Sequence, residues 1–418
     1  MYRCFAVFVS ALAIVVASTA HAQQETSPPL TLKAALQEAV RANPELVALQ
    51  RDYDTTRAAI PEARYLDAPM FETQIWGWPV TTLNPARTDM YMFMGEQELP
   101  GRGKRAAREL VAERETDMSR QQVAVRANEI LNEVKQAYVE LLLARGTSTL
   151  YEQQAPVLRQ MADAATARYS TGQAGQYDTV KSVLELSRLQ ADAVEWRERA
   201  SVAEARLNTL LGRAPDLRVA AVGGSDLAPI DLLNAEQVAL ERHPEVVMAS
   251  ATVAREEAEL ARLRGERKPD FVVGGGYMLQ PGGAGAWTAR AGITWPNAPW
   301  SRGRLNTEID VQQKKLDAAM AHRDVAVSAV KRSVREAVVH LEAARERARI
   351  IESSVTPHVE HAFDVARIAY ASNRGEFADL LDTERVLLST RMDVVAARAD
   401  VERAIADLAM ATGDIPEN

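Results

Sequence analysis

Met90, Met92 and Met94 occupy alternate positions in the stretch DMYMFMGEQEL, with Met70 upstream. On an extended strand that spacing puts three thioethers on one face, and thioethers select soft cations such as Cu(I). The same pattern fits adaptable apolar packing or lipid contact, and packing is the reading adopted. His358 and His361 are spaced to share a helix face and to pair on a metal. On so charged a helix they read as solvent-facing, so no metal site and no cofactor is assigned. Arg102-Gly103-Lys104 is basic but sits where a strand gives way to a helix. It reads as an anchor at headgroup level rather than as a catalytic pair. The charges that remain gather at two Gly-containing breaks. One is YSTGQAGQYDTV (Tyr169–Val180) and the other is YASNRGEFADLLD (Tyr370–Asp382). No Ser/His/Asp set and no phosphate loop accompanies them, so the chain does not read as an enzyme.

The elements that must position these residues are mostly helical. The 418-residue chain is 25% charged, and its Gly and Pro cluster at a few points separated by long Ala/Leu/Glu/Arg/Gln intervals. The formal charge of −8 argues against nucleic acid as a partner. Residues 1–22 read as a secretory signal: Arg3, the apolar Phe5–Ala17, then Ala20-His21-Ala22 before Gln23. Cys4 lies inside that segment, so the exported chain has no Cys for a disulfide or a thiolate site. A helix is predicted from Thr31 and a second from Asn43-Pro44, with Asn43 as cap and Pro44 at the first helical position. Phe71–Trp78 and Asp89–Leu99 read as strands of a hairpin spanning 71–99. A long helix follows over 102–168, softened at Gly146 and Pro156, of ~95 Å at the standard rise. The turn at 169–178 and a return helix over 177–211 complete this unit, which the reading bounds at 23–229.

The chain then repeats itself. Asn43-Pro44-Glu45 is answered by His243-Pro244-Glu245, Pro69 and Phe71 by Pro269 and Phe271, and Arg102-Gly103 by Arg302-Gly303. Pro156 and Tyr169 are answered by Pro357 and Tyr370, and Gly212 by Gly413. An ordered series at a spacing of 200 or 201 residues is the mark of an internal repeat. The second unit, 230–418, is predicted to carry a hairpin over 271–295, a long helix over 302–370, a tip turn over 370–378 and a return helix over 377–412. The fold class expected is therefore mainly α, two-fold repeated, with four short strands.

Ala286–Trp295 indicates where the strands live. Trp287, Ala289, Ala291, Ile293 and Trp295 alternate with Thr288, Arg290, Gly292 and Thr294. Two Trp eight residues apart span ~26 Å of strand, about 20 Å along a membrane normal when tilted, which suits a barrel's apolar band and its aromatic girdles. Trp76, Trp78, Trp287 and Trp295 are the expected membrane-interface aromatics. Four strands cannot close a barrel, and open edges in lipid are forbidden. Copies of the chain must complete it, and three copies would give ~12 strands, within the bacterial range.

Over its whole exported length the chain resembles the outer-membrane efflux proteins, the TolC-like family. The resemblance rests on two halves, each with an N-P-E or H-P-E helix start, a hairpin and a long helix ending in a Tyr-to-Gly turn. Gln97–Arg105, QELPGRGKR, looks like a segment of the heavy-metal (CzcC- and CusC-like) branch. The resemblance implies a homotrimer with a 12-stranded barrel in outer-membrane lipid above a long periplasmic helical barrel. It also implies a periplasmic adaptor and an inner-membrane proton-driven (RND) transporter as partners. The Gly turns then become the periplasmic tip. Gly172, Gly175, Tyr177, Asp178, Gly375 and Phe377 are the expected turn and adaptor-docking residues, with Gly175 and Gly375 expected to take positive φ. Arg374, Asp379 and Asp382 are the candidate gate, since rings of Asp attract cations and Arg–Asp pairs hold tips together. Heavy-metal cations are the expected cargo. Outlets for drug efflux or type I protein secretion, which share the duct, are the alternatives.

Overall fold

A computed structural model describes residues 30–81, 84, 87–173, 175–220 and 234–414. The expected signal at 1–22 and the boundary at 229/230 lie outside the described residues. Helix α1 (Leu32–Ala42) starts at Thr31, whose Oγ1 accepts from the Ala34 amide. Helix α2 (Pro44–Ala59) starts at Asn43, whose Oδ1 accepts from the amides of Glu45 and Leu46 at 3.0 and 3.2 Å. A 3-10 turn (Ile60–Arg64) leads to strands β1 (Met70–Trp76) and β2 (Met90–Leu99). Helix α3 (Lys104–Ser170) runs 67 residues without a break, ~100 Å, and α4 (Gln176–Leu210) returns beside it.

The second repeat has the same order: α5 (Ala235–Arg242), α6 (Pro244–Gly265), β3 (Asp270–Leu279), β4 (Ala286–Thr294), α7 (Arg302–Ile350), α8 (Thr356–Ala371) and α9 (Phe377–Thr412). One unbroken helix was expected over 302–370. Instead a π turn, Ile351–Val355, separates α7 from α8. Pro357 has no amide hydrogen and its ring presses on the carbonyl four residues back. Widening the turn relieves that clash: the Thr356 amide donates to the Ile351 carbonyl five residues back, and the Thr356 hydroxyl donates to the same carbonyl at 2.9 Å. Pro156, at the matching place, sits inside regular α3.

Each repeat buries its own core at matching positions. Ala35, Ala39, Ile130, Val134, Leu141 and Leu207 form the first. Ala235, Ala239, Val330, Val334, Leu341 and Leu408 form the second. These are the apolar stripes of long helices closing against the two short ones, the burial that stabilises helices which propensity alone would leave marginal.

The two helix starts differ in one respect. Where the first uses Asn43, the second uses His243, whose Nδ1 accepts from the Glu245 amide at 3.3 Å. Burial pushes the His243 pKa down, against the opposing pull of Glu245 and the Met410 carbonyl. A lowered pKa in the folded state means the unfolded chain binds protons first. Stability is therefore full above the unfolded value of about 6.5 and falls as pH drops below it. His243→Asn should keep the cap and flatten that dependence. Thermal melts at pH 7 and pH 5 check it, with the wild type losing more than the variant.

The strands form a single antiparallel sheet in the order β1-β2-β3-β4, and β2–β3 pairing joins the repeats. Register separates two faces. One carries Phe71 and Ile75 of β1, Tyr91 and Phe93 of β2, Phe271, Val273 and Tyr277 of β3, and Trp287, Ala289, Ala291 and Ile293 of β4. The other carries Glu72, Gln74, Glu96, Thr288 and Arg290. The alternation read from β4 thus extends across the sheet. Trp76 departs from expectation: it pairs with Met90 on the polar face, and its indole donates to Gln74 at 3.1 Å. Phe71, Ile75 and Phe93 take the aromatic face of the first hairpin in its place. Trp78 lies beyond the end of β1. The methionines, expected to pack or meet lipid, also lie on the polar face.

Candidate functional site

The sheet meets the helices at a buried cation. Lys104, at the first residue of α3, is only 1% exposed. Its Nζ donates to Asp270 Oδ2 at 2.7 Å and lies 2.8 Å from Glu266 Oε2. The other oxygen of Asp270 accepts from the Gly101 amide at 2.8 Å. Lys104 is therefore no headgroup anchor. It ties the first long helix to the strand that opens the second sheet half.

At the opposite end are the two turns. Gly172 and Asn373 adopt the left-handed conformation, with φ of 75° and 60°. Gly175 does not, at φ −77°, and Gly375 is not among the positive-φ residues. The expected pair is thus displaced to the second residue beyond each helix, just past the cap residues Thr171 and Ser372, the ordinary place for a left-handed residue, which Gly and Asn both tolerate. Gly375 matters for another reason: a Cβ there would meet Ala369 Cβ at 3.0 Å and its backbone at 3.2 Å. At Gly175 the nearest such contact is 3.9 Å.

The two tips are not equivalent. Tyr177 is 69% exposed, and Asp178 beside it is half-buried. Phe377, its counterpart, is 3% exposed and packs on Tyr370 with ring centroids 5.6 Å apart. Phe377 belongs to a core with Leu158, Leu189, Leu380 and Leu381, so it is not a docking residue as expected. The second turn tucks its aromatic inward against the first helix pair, and the first turn presents its own outward.

Of the expected gate residues, Arg374 and Asp379 are exposed, and neither forms an ion pair among the described residues. Asp382 is paired, with Arg385 at 3.2 Å and Lys181 at 3.9 Å. The charged contacts that join the two hairpins lie higher, and the sequence reading missed them. Arg385 donates Nε to Glu185 Oε2 at 3.0 Å and Nη2 to Oε1. Gln154 donates to the buried Glu384. Arg168 stacks 4.0 Å above the Tyr370 ring and donates to the Tyr370 carbonyl at 2.8 Å. Burial raises the Glu384 pKa, with Gln154 pulling down and Glu185 adding to the rise. A signal for these residues was present: Glu185 and Arg385, and Lys181 and Asp382, are opposite charges at the repeat's own spacing.

The arrangement is that of a wall and a stalk. The sheet has one lipid-suited face, and the helix hairpins project from its base to a tip held by ion pairs. Among the described residues no helix is long and apolar enough to cross a membrane, and no cluster of His, Cys, Asp or Glu is arranged to hold a metal.

Comparison with known proteins agrees with this layout. The family profile described as outer membrane efflux protein matches residues 35–213 and again 236–414. The cobalt-zinc-cadmium resistance protein CzcC of Cupriavidus metallidurans is 27% identical over 375 residues, 88% of this chain and 86% of that one. The crystal structure of CusC superposes with a TM-score of 0.78 at 16% identity, covering 92% of each chain. The outer membrane protein VceC of Vibrio cholerae superposes at 0.75 and 16% identity, covering 91% of this chain and 96% of that one.

Proposed function

This chain belongs to the outer membrane efflux protein family, whose members are channels rather than enzymes, and from that premise we propose that it is the exit duct of a tripartite heavy-metal efflux system. The observation that carries the reading is the sheet's division into an aromatic and a polar face, joined at one end to helices of ~100 Å. Such a sheet suits lipid on one side and a water-filled passage on the other.

The strand edges support closure by further copies of the chain, in our reading three. β1 and β4 each have a free edge within one chain, and lipid tolerates none. The helices point the same way, since Val180 and Val183 on α4 and Val365 and Ile368 on α8 are exposed in the single chain. Neighbouring copies would cover them. A periplasmic adaptor would then meet the tips around Gly172, Gly175, Tyr177, Asp178 and Gly375. An inner-membrane proton-driven (RND) transporter would feed the duct. Arg374, Asp379 and Asp382 would face their counterparts around the axis and gate it. The cargo class, heavy-metal cations, rests on the relative's name and on the QELPGRGKR segment.

Two measurements test this. Purified protein in planar bilayers should conduct; absence of conductance sinks the duct. A strain lacking the gene should become sensitive to salts of Co, Zn, Cd, Ni, Cu or Ag. Sensitivity to organic drugs alone, or loss of a secreted protein alone, would transfer the duct to drug efflux or to type I secretion.

A further inference from the structure

Four thioethers converge on the polar face of the sheet. Met92 of β2 and Met278 of β3 are direct cross-strand partners. Met90 and Met94 flank Met92 on the same face, as diagonal neighbours of Met278. Directly opposed side chains on such a pair have Cβ atoms ~5 Å apart, and diagonal ones lie ~7–8 Å apart, within reach of long side chains. The residue opposite Met94 is Gly276, where a Cβ would come within 2.9 Å of Met94 Cγ, so the Met94 side chain leans over β3, the strand that carries Met278. Gly274 leaves the same kind of space for Glu96, which crosses it to pair with Arg290 on β4.

The position is informative. An apolar patch intended for lipid belongs with Phe93 and Trp287 on the other face. Here the neighbours across β1 are Gln74 and Glu72, opposite Met92 and Met94. Leu or Val would fill space on a strand with less loss of rotamer freedom. What Met adds is a soft, neutral sulfur donor. Along β2 the face runs from Glu98 and Glu96 near the helices to Met94, Met92 and Met90 at the hairpin end.

We propose that Met90, Met92, Met94 and Met278 form a thioether site for soft monovalent cations, Cu(I) or Ag(I), on the passage side of each sheet near its outer end. The site rests on the reading of this face as the wall of the duct. Neutral thioethers hold such ions without the trapping strength of thiolates. That suits a passage, where an ion must bind well enough to enter and weakly enough to leave. Harder cations such as Co(II) gain little from sulfur of this kind.

The test uses the purified full-length protein and Ag(I), added as nitrate in chloride-free buffer and followed by equilibrium dialysis. Wild type should bind about one Ag(I) per chain at this site, and Met92→Leu/Met278→Leu should bind it about tenfold more weakly or worse. Met161→Leu/Met392→Leu, in the helical hairpins, should bind as wild type does. If the double sheet variant does not assemble, Met90→Leu alone provides the same comparison. Equal Ag(I) affinity in wild type and a folded sheet variant overturns the site. Wild-type conductance is measured on the same preparation. A protein that conducts nothing yet loses Ag(I) affinity in the variant would overturn the duct and leave the site standing.

Discussion

Replacing Lys104 by Met should destabilise the folded chain by about 3–5 kcal/mol, the range for removing one partner of a buried ion pair. The reason lies in what is left behind. Lys104 is 1% exposed, and without it Glu266 keeps only Arg262 at 3.4 Å while Asp270, partly buried, is left without a cation. Asp270 would keep the Gly101 amide, which cannot neutralise it. The loss falls on the junction between α3 and β3, so the expected phenotype is a sharp drop in assembled protein in the outer membrane. Heat-modifiable mobility in membrane fractions measures that. Lys104→Met/Asp270→Asn should recover part of the loss, because it removes that uncompensated charge. A Lys104→Met protein that assembles and melts like the wild type would refute the account.

Arg385→Ala should loosen the tip. Arg385 binds Glu185 through two nitrogens, which ties the second hairpin to the first, and its third nitrogen reaches Asp382 on its own helix. Arg385 is about 39% exposed, so solvent discounts the contact. A charge-assisted pair of this exposure contributes about 1–2 kcal/mol, which would shift a closed–open balance about 5–30-fold. Single-channel recordings should show a higher open probability for Arg385→Ala. Exchanging the charges, Glu185→Arg with Arg385→Glu, should restore the closed state. Arg374→Ala is the informative comparison, since Arg374 has no ion pair within the chain among the described residues. If Arg374→Ala opens the duct and Arg385→Ala does not, closure depends on contacts between copies rather than on this network.

Much of the fold was legible because it is periodic. Spacing marked the repeat, Thr31 and Asn43 marked helix starts, and the alternation of Trp287 to Ile293 marked a face of the sheet. What periodicity cannot carry is the difference between the two copies. Tyr177 and Phe377 occupy matching positions with matching chemistry, yet one is exposed and the other is core. The distinction arises from which hairpin packs inside the other, a tertiary fact with no local signature. Trp76 was misread for a related reason. One aromatic at a strand end is an ambiguous marker of face, and the register that resolves it depends on Met90 across the hairpin. Lys104 was misread because a lone basic residue looks alike whether it meets water or two carboxylates from a distant part of the chain.

The β2–β3 pairing has a bearing on timing. It joins Met92 to Met278 across the whole of α3 and α4. Helices form within about a microsecond from local contacts, whereas strand pairing at long sequence separation is slow. The helical hairpins therefore take shape first, while the segments that will become the sheet are still apart. The lipid-seeking surface of Phe93, Tyr277 and Trp287 comes into being only after the second repeat has been delivered. A newly exported chain thus travels through water before it owns the face that would make it stick, and insertion waits on the completion of its own sequence.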